Sequence, residues 1–458
     1  MDRIPNDLIG FPLTQQRVLQ NPPTVPIEVQ VTVRVAEPAS GKRPSQFFAN
    51  LRNAARSFSR FDLALLGVGI AVYIFTRFFA LSSFPIYFFC DEAIVTNLAQ
   101  DLINNKFYDG EGNFLPPYFR AGGRWPTSLS VYLQTIGVIL FGKSVYVTRA
   151  TVAAVSILCA IAIALTLKLV FENRFWWSGV LILAVIPTAF VHSRTAFEHT
   201  NMVTFYACFL CSYLLYRYRS PKFILPSLLF GGLTFYSYTN GQGVMLVSGS
   251  LLLFSDLRFH LRQDPKIIVG ALGMLALLAV PYLRQQYLHP GTSLEHQLQT
   301  LDSYWVRNIP FSEKLLTFGK LYVEGLNPLY LFLPNDVDWM RHRYKGLGHL
   351  SQYLMPFVLI GFAVCLSRWR SSAHRALLIA ILAAPFSAAL VEVMITRVSL
   401  VIVPATIMAV ISISQIKDWL GSFFSLLQTA RGNTNGGSGR YELCFAAQCA
   451  RQRAYLVF

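Results

Sequence analysis

The chain has 458 residues, of which 54% are hydrophobic and only 14% charged, with a formal net charge of +16. Soluble domains carry about a quarter charged residues, so these figures exclude an ordinary soluble enzyme, a disordered chain and a disulfide-stapled secreted module. Basic chains also bind nucleic acid. Here, however, the Lys and Arg gather in short clusters between apolar runs: Arg217, Arg219 and Lys222; Arg258, Arg262 and Lys266; Arg368, Arg370 and Arg375. That is the positive-inside pattern of a membrane protein, and no basic face interleaved with aromatics argues for nucleic acid.

In chain order, residues 1–57 are polar, hold seven prolines and carry no helical period, which predicts a disordered cytoplasmic tail. Apolar segments follow at roughly 61–81, 145–171, 175–191, 201–218, 222–239, 243–257, 266–283, 351–368, 374–393 and 398–416. A spanning helix needs about 20 apolar residues, so these read as ten spans. A shorter segment, 127–141, is decided by parity. If it spans, the later basic clusters fall on the side opposite Arg52, Arg56 and Arg60; if it lies on the membrane surface, all of them share the cytoplasmic side. It is therefore read as an interfacial helix.

This topology puts the N-terminus in the cytoplasm. It leaves two large external loops, 82–144 and 284–350, and a small external turn, His192–Thr200. The unit runs over 58–420, and the glycine-containing stretch 421–458 reads as a flexible tail. Cys208 and Cys211 form a C-x-x-C within an apolar run; without polar surroundings or a second ligand pair they read as small hydrophobes.

The chemistry-bearing residues face the two external loops. Asp91 and Glu92 follow the first span and precede an amphipathic stretch. They serve either as N-cap and first-turn acid of a surface helix or as a general base at an interfacial cleft. In the turn His192–Thr200, Arg194 and Glu198 stand four apart, which on a helix would put them on one face; His199 follows. Parity puts this turn on the same side as Asp91. A hard divalent cation would accept such oxygen ligands, with Asp91, Glu198 and His199 as candidates. Arg124 opens the interfacial helix, and Arg397 sits at the external end of the last span. Arg124 is suited to a phosphate, through charge-assisted bidentate bonds, or to anchoring at a headgroup; Arg397 suits a specific anion or snorkels to the interface. Arg341, Arg343, Lys345 and His349 form a basic patch in the second loop.

These motifs, in this order, resemble the GT-C glycosyltransferases, among them the Rgt-like, ArnT-like and protein O-mannosyltransferase-like integral membrane enzymes. The resemblance rests on Asp91-Glu92, Gly123-Arg124-Trp125-Pro126, Val147-Thr148-Arg149-Ala150, Pro187, Ser193-Arg194, Glu198, Arg397 and Pro404, and covers about 60–415. It implies an all-α polytopic GT-C bundle that moves a sugar from a polyprenyl-phosphate carrier to an acceptor on the external face, with inversion. Asp91 would be the base, Glu92 the alternative base and Glu198 the second carboxylate. Arg124, Arg397 and Arg194 would hold the donor phosphate, and some families of this fold add a divalent metal. The acceptor, whether protein, lipid or glycan, stays open. A transporter or lipid-linked-oligosaccharide flippase is the alternative, though the ionisable residues gather in loops rather than inside spans.

Overall fold

The computed structural model describes residues 59–121, 125, 127–290 and 294–432. The expected tail over 1–57, most of the expected tail past 420 and the candidate phosphate ligand Arg124 lie outside them.

Every expected span coincides with a helix or a broken pair of helices. Helix α1 (Arg60–Phe78) begins where the Ser59 hydroxyl accepts the Phe61 N–H at 3.3 Å, an N-cap satisfying one of the free amides of the first turn. Helix α2 (Cys90–Asn104) and helix α3 (Leu129–Phe141) pack together through Val95, Ala99, Leu102, Phe119 and Val131. The exposed end of α3 carries Ile136, Ile139, Leu140 and Phe141. Helix α4 (Val145–Leu169) is capped by Ser144, whose hydroxyl accepts from the Val147 amide at 3.1 Å. The next apolar run breaks into α5 (Ser178–Val185) and α6 (Pro187–His192), because Pro187 has no N–H to continue the ladder and starts a new helix at its first position.

Helix α7 (Glu198–Tyr218) is the axis of the bundle. From His199 to Tyr216 every residue is buried, on all faces, as expected of a helix enclosed by others. Helices α8 (Ile224–Ser237) and α9 (Thr239–Ser255) meet at Tyr238. There a Cβ on Gly241 would collide with the Thr234 carbonyl oxygen, so only glycine lets the two backbones approach. Helix α10 (Pro265–Leu288), by contrast, presents Val269, Leu272, Leu275 and Leu277 outward.

The second large loop is itself helical, with α11 (Leu294–Thr300), α12 (Phe311–Leu326) and α13 (Pro328–Phe332). The chain returns through α14 (Met355–Ser367), α15 (Ser372–Ala383), α16 (Phe386–Ala389), α17 (Ile395–Val398) and α18 (Ile402–Gly432). Small residues line the crossings, among them Ala380, Ala383, Ala405 and Ala409. At Gly361 a Cβ would strike the Met408 carbonyl, so α14 and α18 touch backbone to backbone. Between lipid-embedded helices van der Waals packing replaces the hydrophobic drive, and small residues maximise it.

Five of these helical stretches are long and apolar enough to cross a bilayer: Arg60–Phe78, Val145–Leu169, Pro265–Leu288, Ser372–Ala389 and Ile395–Ser425. The protein is a multi-pass, all-α membrane protein, and among the described residues the only strand-like pairs are two isolated bridges, Tyr108 with Phe114 and Tyr118 with Thr127. The last helix continues to Gly432, through the start of the segment expected as a tail. Cys208 and Cys211 are free and buried inside α7.

Candidate active site

Three buried arginines build the floor of the site by donating to backbone carbonyls at helix ends and in the loop after α1. Arg77 of α1 donates to Leu183 O and Ala184 O at 3.2 and 2.9 Å, at the end of α5. Arg194, in the turn after α6, gathers the carbonyls of Thr76, Arg77, Phe79, Ala80 and Phe84 at 2.6–3.2 Å. Arg149 of α4 holds those of Leu81, Pro85 and Tyr87 at 2.8–3.0 Å. Together they fix the connection from α1 to α2, and so the point at which Asp91 emerges.

Two expectations change here. Arg194 does not share a helical face with Glu198, because 193–197 is a turn and α7 starts only at Glu198. Its guanidinium is buried against the end of α1 rather than offered to a phosphate, and its carbonyl partners lie more than a hundred residues back in the chain. Helix α2 also starts one residue early. It begins at Cys90 after Phe89, so Asp91 is not its N-cap.

The adjacent carboxylates have opposite surroundings. Glu92 is fully buried. Arg149 grips it with Nε at 2.9 Å and Nη2 at 3.1 Å, and the Phe89 and Ala196 amides donate to it at 3.1 and 3.2 Å. With both oxygens committed, Glu92 locks the loop onto the bundle and is not a free base. Asp91 points outward with its side chain 54% exposed, and its partner is Arg341 at 3.6 Å. Arg341 lies over the Trp339 ring at 4.3 Å and donates to His342 Nε2 at 3.2 Å.

Glu198 opens α7 just before the stretch read as a span. Its carboxyl is pushed up to about 8, first by burial and then by the negative charge of Asp91 nearby. A buried carboxyl raised in this way can hold a proton at neutral pH. Tyr238, at the break between α8 and α9, lies between this pair of carboxyls and Arg397, within the electrostatic field of both Arg397 and Glu198. Arg397 also donates to the Glu392 carbonyl at 3.0 Å and pairs with its carboxylate at 3.6 Å. Asp91, Glu198, Tyr238 and Arg397 therefore fall in one neighbourhood, although they come from four separate parts of the chain.

Behind them lie three buried histidines. The His192 ring is 4.3 Å from His199 and 5.3 Å from His342. His342, in the second loop, is held near 4, mainly by burial and then by Arg341, so it is neutral at physiological pH. A cavity of about 30 Å³ is lined by His192, His199, Thr188 and Ser399, enough for roughly two waters. Among the described residues no group of three or more His, Cys, Asp or Glu is arranged to hold a metal ion. The candidates Asp91, Glu198 and His199 are thus not assembled into a metal site.

Sequence reasoning placed Arg341 in a basic patch but not beside Asp91, and it passed over Tyr238, His342 and Asp338. Only the polar character of 335–349 within an apolar chain marked that region.

With this geometry in hand, solved structures offer a fold. The ArnT of Cupriavidus metallidurans, crystallised with undecaprenyl phosphate, is similar at a TM-score of 0.55 and 12% identity, over 80% of this chain and 64% of that one. The oligosaccharyltransferase AglB of Archaeoglobus fulgidus, in complex with an inhibitory peptide and a dolichol-phosphate, is similar at 0.51 and 17%, over 87% and 55%. Both are GT-C glycosyltransferases, and the fold of this chain is the GT-C fold. The chain spans less than two thirds of either of these proteins. No protein-family model and no curated protein matches it.

Proposed function

We propose that the protein is a membrane glycosyltransferase that moves a sugar from a polyprenyl-phosphate carrier to an acceptor hydroxyl or amide, with inversion. The observation that carries this reading is the pairing of an outward carboxylate, Asp91, with a proton-holding one, Glu198, beside Arg397 and Tyr238. The GT-C fold supports it, as do solved proteins of that fold holding undecaprenyl phosphate or dolichol-phosphate.

In this reading Asp91 takes the acceptor proton as the acceptor atom attacks the anomeric carbon. The bond from that carbon to the phosphate oxygen breaks, and the carrier leaves as polyprenyl phosphate. Negative charge collects on the leaving phosphate, which is where fixed positive charge is most effective. Arg397 and Arg124 are the arginines assigned to that charge. Arg341 holds Asp91 through a single long contact, which a donor phosphate would compete for. Glu198, protonated at neutral pH, donates a hydrogen bond toward the sugar. Glu92 and Arg194 serve as anchors, and no step is routed through a metal.

We further place the site on the external face, with the N-terminus in the cytoplasm. A cysteine introduced at Ser220 would then be shielded from impermeant thiol reagents in intact cells, and labelling there would reverse the topology. The deciding experiment is a transfer assay in membranes with a panel of polyprenyl-phosphate sugars and an Asp91→Asn control. Asp91-dependent release of polyprenyl phosphate is the expected result. Normal turnover in the variant would remove Asp91 as base, and no release from any donor by folded protein would remove the transferase reading.

A further inference from the structure

Asp338 has no role in the chemistry above, yet it is among the most constrained polar groups of the second loop. Its side chain is fully buried. Oδ2 accepts from the Tyr330 hydroxyl at 2.7 Å and pairs with His349 Nε2 at 3.0 Å. Oδ1 accepts from the Ile395 amide at 2.7 Å. Burial alone would raise this carboxyl, but the bonds from His349, Ile395 and Tyr330 outweigh it and hold it below the ordinary aspartate range.

These bonds join segments that are remote in sequence. Three residues after Asp338, in the short turn Met340–His342, stands Arg341, the partner of Asp91. Two residues after Ile395, in α17, stands Arg397. His349 extends the link once more, since its carbonyl accepts the Thr188 amide of α6 at 3.1 Å, and α6 leads into the turn before Glu198. One buried carboxylate thus ties together the segments that deliver both arginines.

Burying an ionised group is expensive unless its hydrogen bonds are complete, and what such a network adds is a defined geometry. We propose that Asp338 is a positioning residue, whose bonds to Ile395, His349 and Tyr330 set the spacing of Arg341 and Arg397 so that the two together take the phosphate of a lipid-linked donor. The inference rests on the transferase reading for the identity of the ligand, but not for the clamp itself.

The test uses full-length protein in detergent and two readouts. The first is hydrogen exchange in peptides covering 335–343 and 391–398; the second is affinity for undecaprenyl phosphate. In Asp338→Leu, both peptides should exchange faster together, and affinity should fall about tenfold or more. Asp338→Asn keeps an oxygen for the Ile395 amide but gives up the acceptor that Tyr330 and His349 share, so it should shift both readouts in the same direction as the leucine variant and by less; a shift in the opposite direction overturns the clamp. Should the leucine variant fail to fold, Tyr330→Phe removes one donor only and is expected to shift both readouts in the same direction. Unchanged exchange overturns the clamp. Faster exchange with unchanged affinity of the folded protein reduces Asp338 to a structural staple and overturns the positioning role. Wild-type protein that binds no polyprenyl phosphate overturns the transferase reading instead, and the exchange readout still decides the clamp.

Discussion

The two ends of α7 treat a carboxylate in opposite ways. Near its C-terminal end Asp256 is saturated: Arg217 Nε lies at 3.0 Å, Arg375 Nη2 at 2.6 Å and the Tyr213 hydroxyl at 2.7 Å. At the other end, about 30 Å away for a helix of this length, Asp91 has one partner at 3.6 Å and lies within the electrostatic field of a second carboxyl, Glu198. The first arrangement has no spare valence for a ligand, so its arginines, which the sequence offered as cytoplasmic charge, also close the bundle. The second leaves charge unsatisfied, and it does so on a floor stiffened by three buried arginines. Unsatisfied charge on a rigid support is what a binding or catalytic site requires.

The sharpest way to break this contrast is to remove one carboxylate from each end. Asp91→Asn should lower transfer by about 10²–10⁴-fold, the range for loss of a general base, with melting unchanged. Asp256→Asn should do the reverse, costing roughly 2–3 kcal/mol of stability, less than a fully buried pair because both arginines keep some water contact. The activity of the folded fraction should stay normal. Thermal unfolding alongside the transfer assay separates the two, and a catalytic loss at Asp256 would dissolve the distinction.

A second test lies within a single dipeptide. Glu92→Gln should leave the Arg149 charge uncompensated in the interior, at a cost of about 3–5 kcal/mol. It should therefore show as poor folding rather than as a folded, inactive enzyme. Folded Glu92→Gln with no turnover would return Glu92 to the role of base.

Why the sequence did not show the surroundings of Glu92 and Arg194 is physical. The helices were legible because apolar runs of spanning length allow few alternatives in lipid, and every expected span met a helix. The breaks were less so: Pro187 signals one, but the interruption at Tyr238 depends on Gly241 meeting the Thr234 carbonyl, a tertiary contact. Asp91, Glu198 and Arg397 stood out in the sequence because charge at the end of an apolar run is conspicuous. Their partners were not. Arg149 lies 57 residues from Glu92 and the carbonyls around Arg194 lie 110–118 residues away, and no local pattern encodes such distances. An arginine bound for a phosphate and one bound for a helix end read alike.

That ambiguity supplies a third test. Arg397→Ala should raise the KM for a lipid-linked donor about tenfold, with a smaller effect on the acceptor, as a charge-assisted contact to phosphate would. Arg194→Ala should destabilise the protein, because five carbonyls each lose a charged donor, yet leave donor KM unchanged in what folds. Equal effects on donor and acceptor in Arg397→Ala would argue against phosphate contact.

The smallest effect is a pH dependence. The Glu198 carboxyl, at about 8 in the folded protein, is raised above its ordinary value of about 4.3. Between those two values the folded chain holds a proton that the unfolded chain has released. The stability associated with this group therefore falls as pH rises through that window and is fully lost above it. At the site, ionisation above pH 8 would set a second negative charge beside Asp91, where a phosphate-bearing donor must bind. Donor KM should accordingly climb as pH passes through about 8, while Glu198→Gln, neutral at every pH, should give a flat profile across the same range. A climb that persists in the glutamine variant would move the titration to another group. A flat wild-type profile would mean that Glu198 does not face the donor, and the contrast between the two ends of α7 would then rest on Asp91 alone.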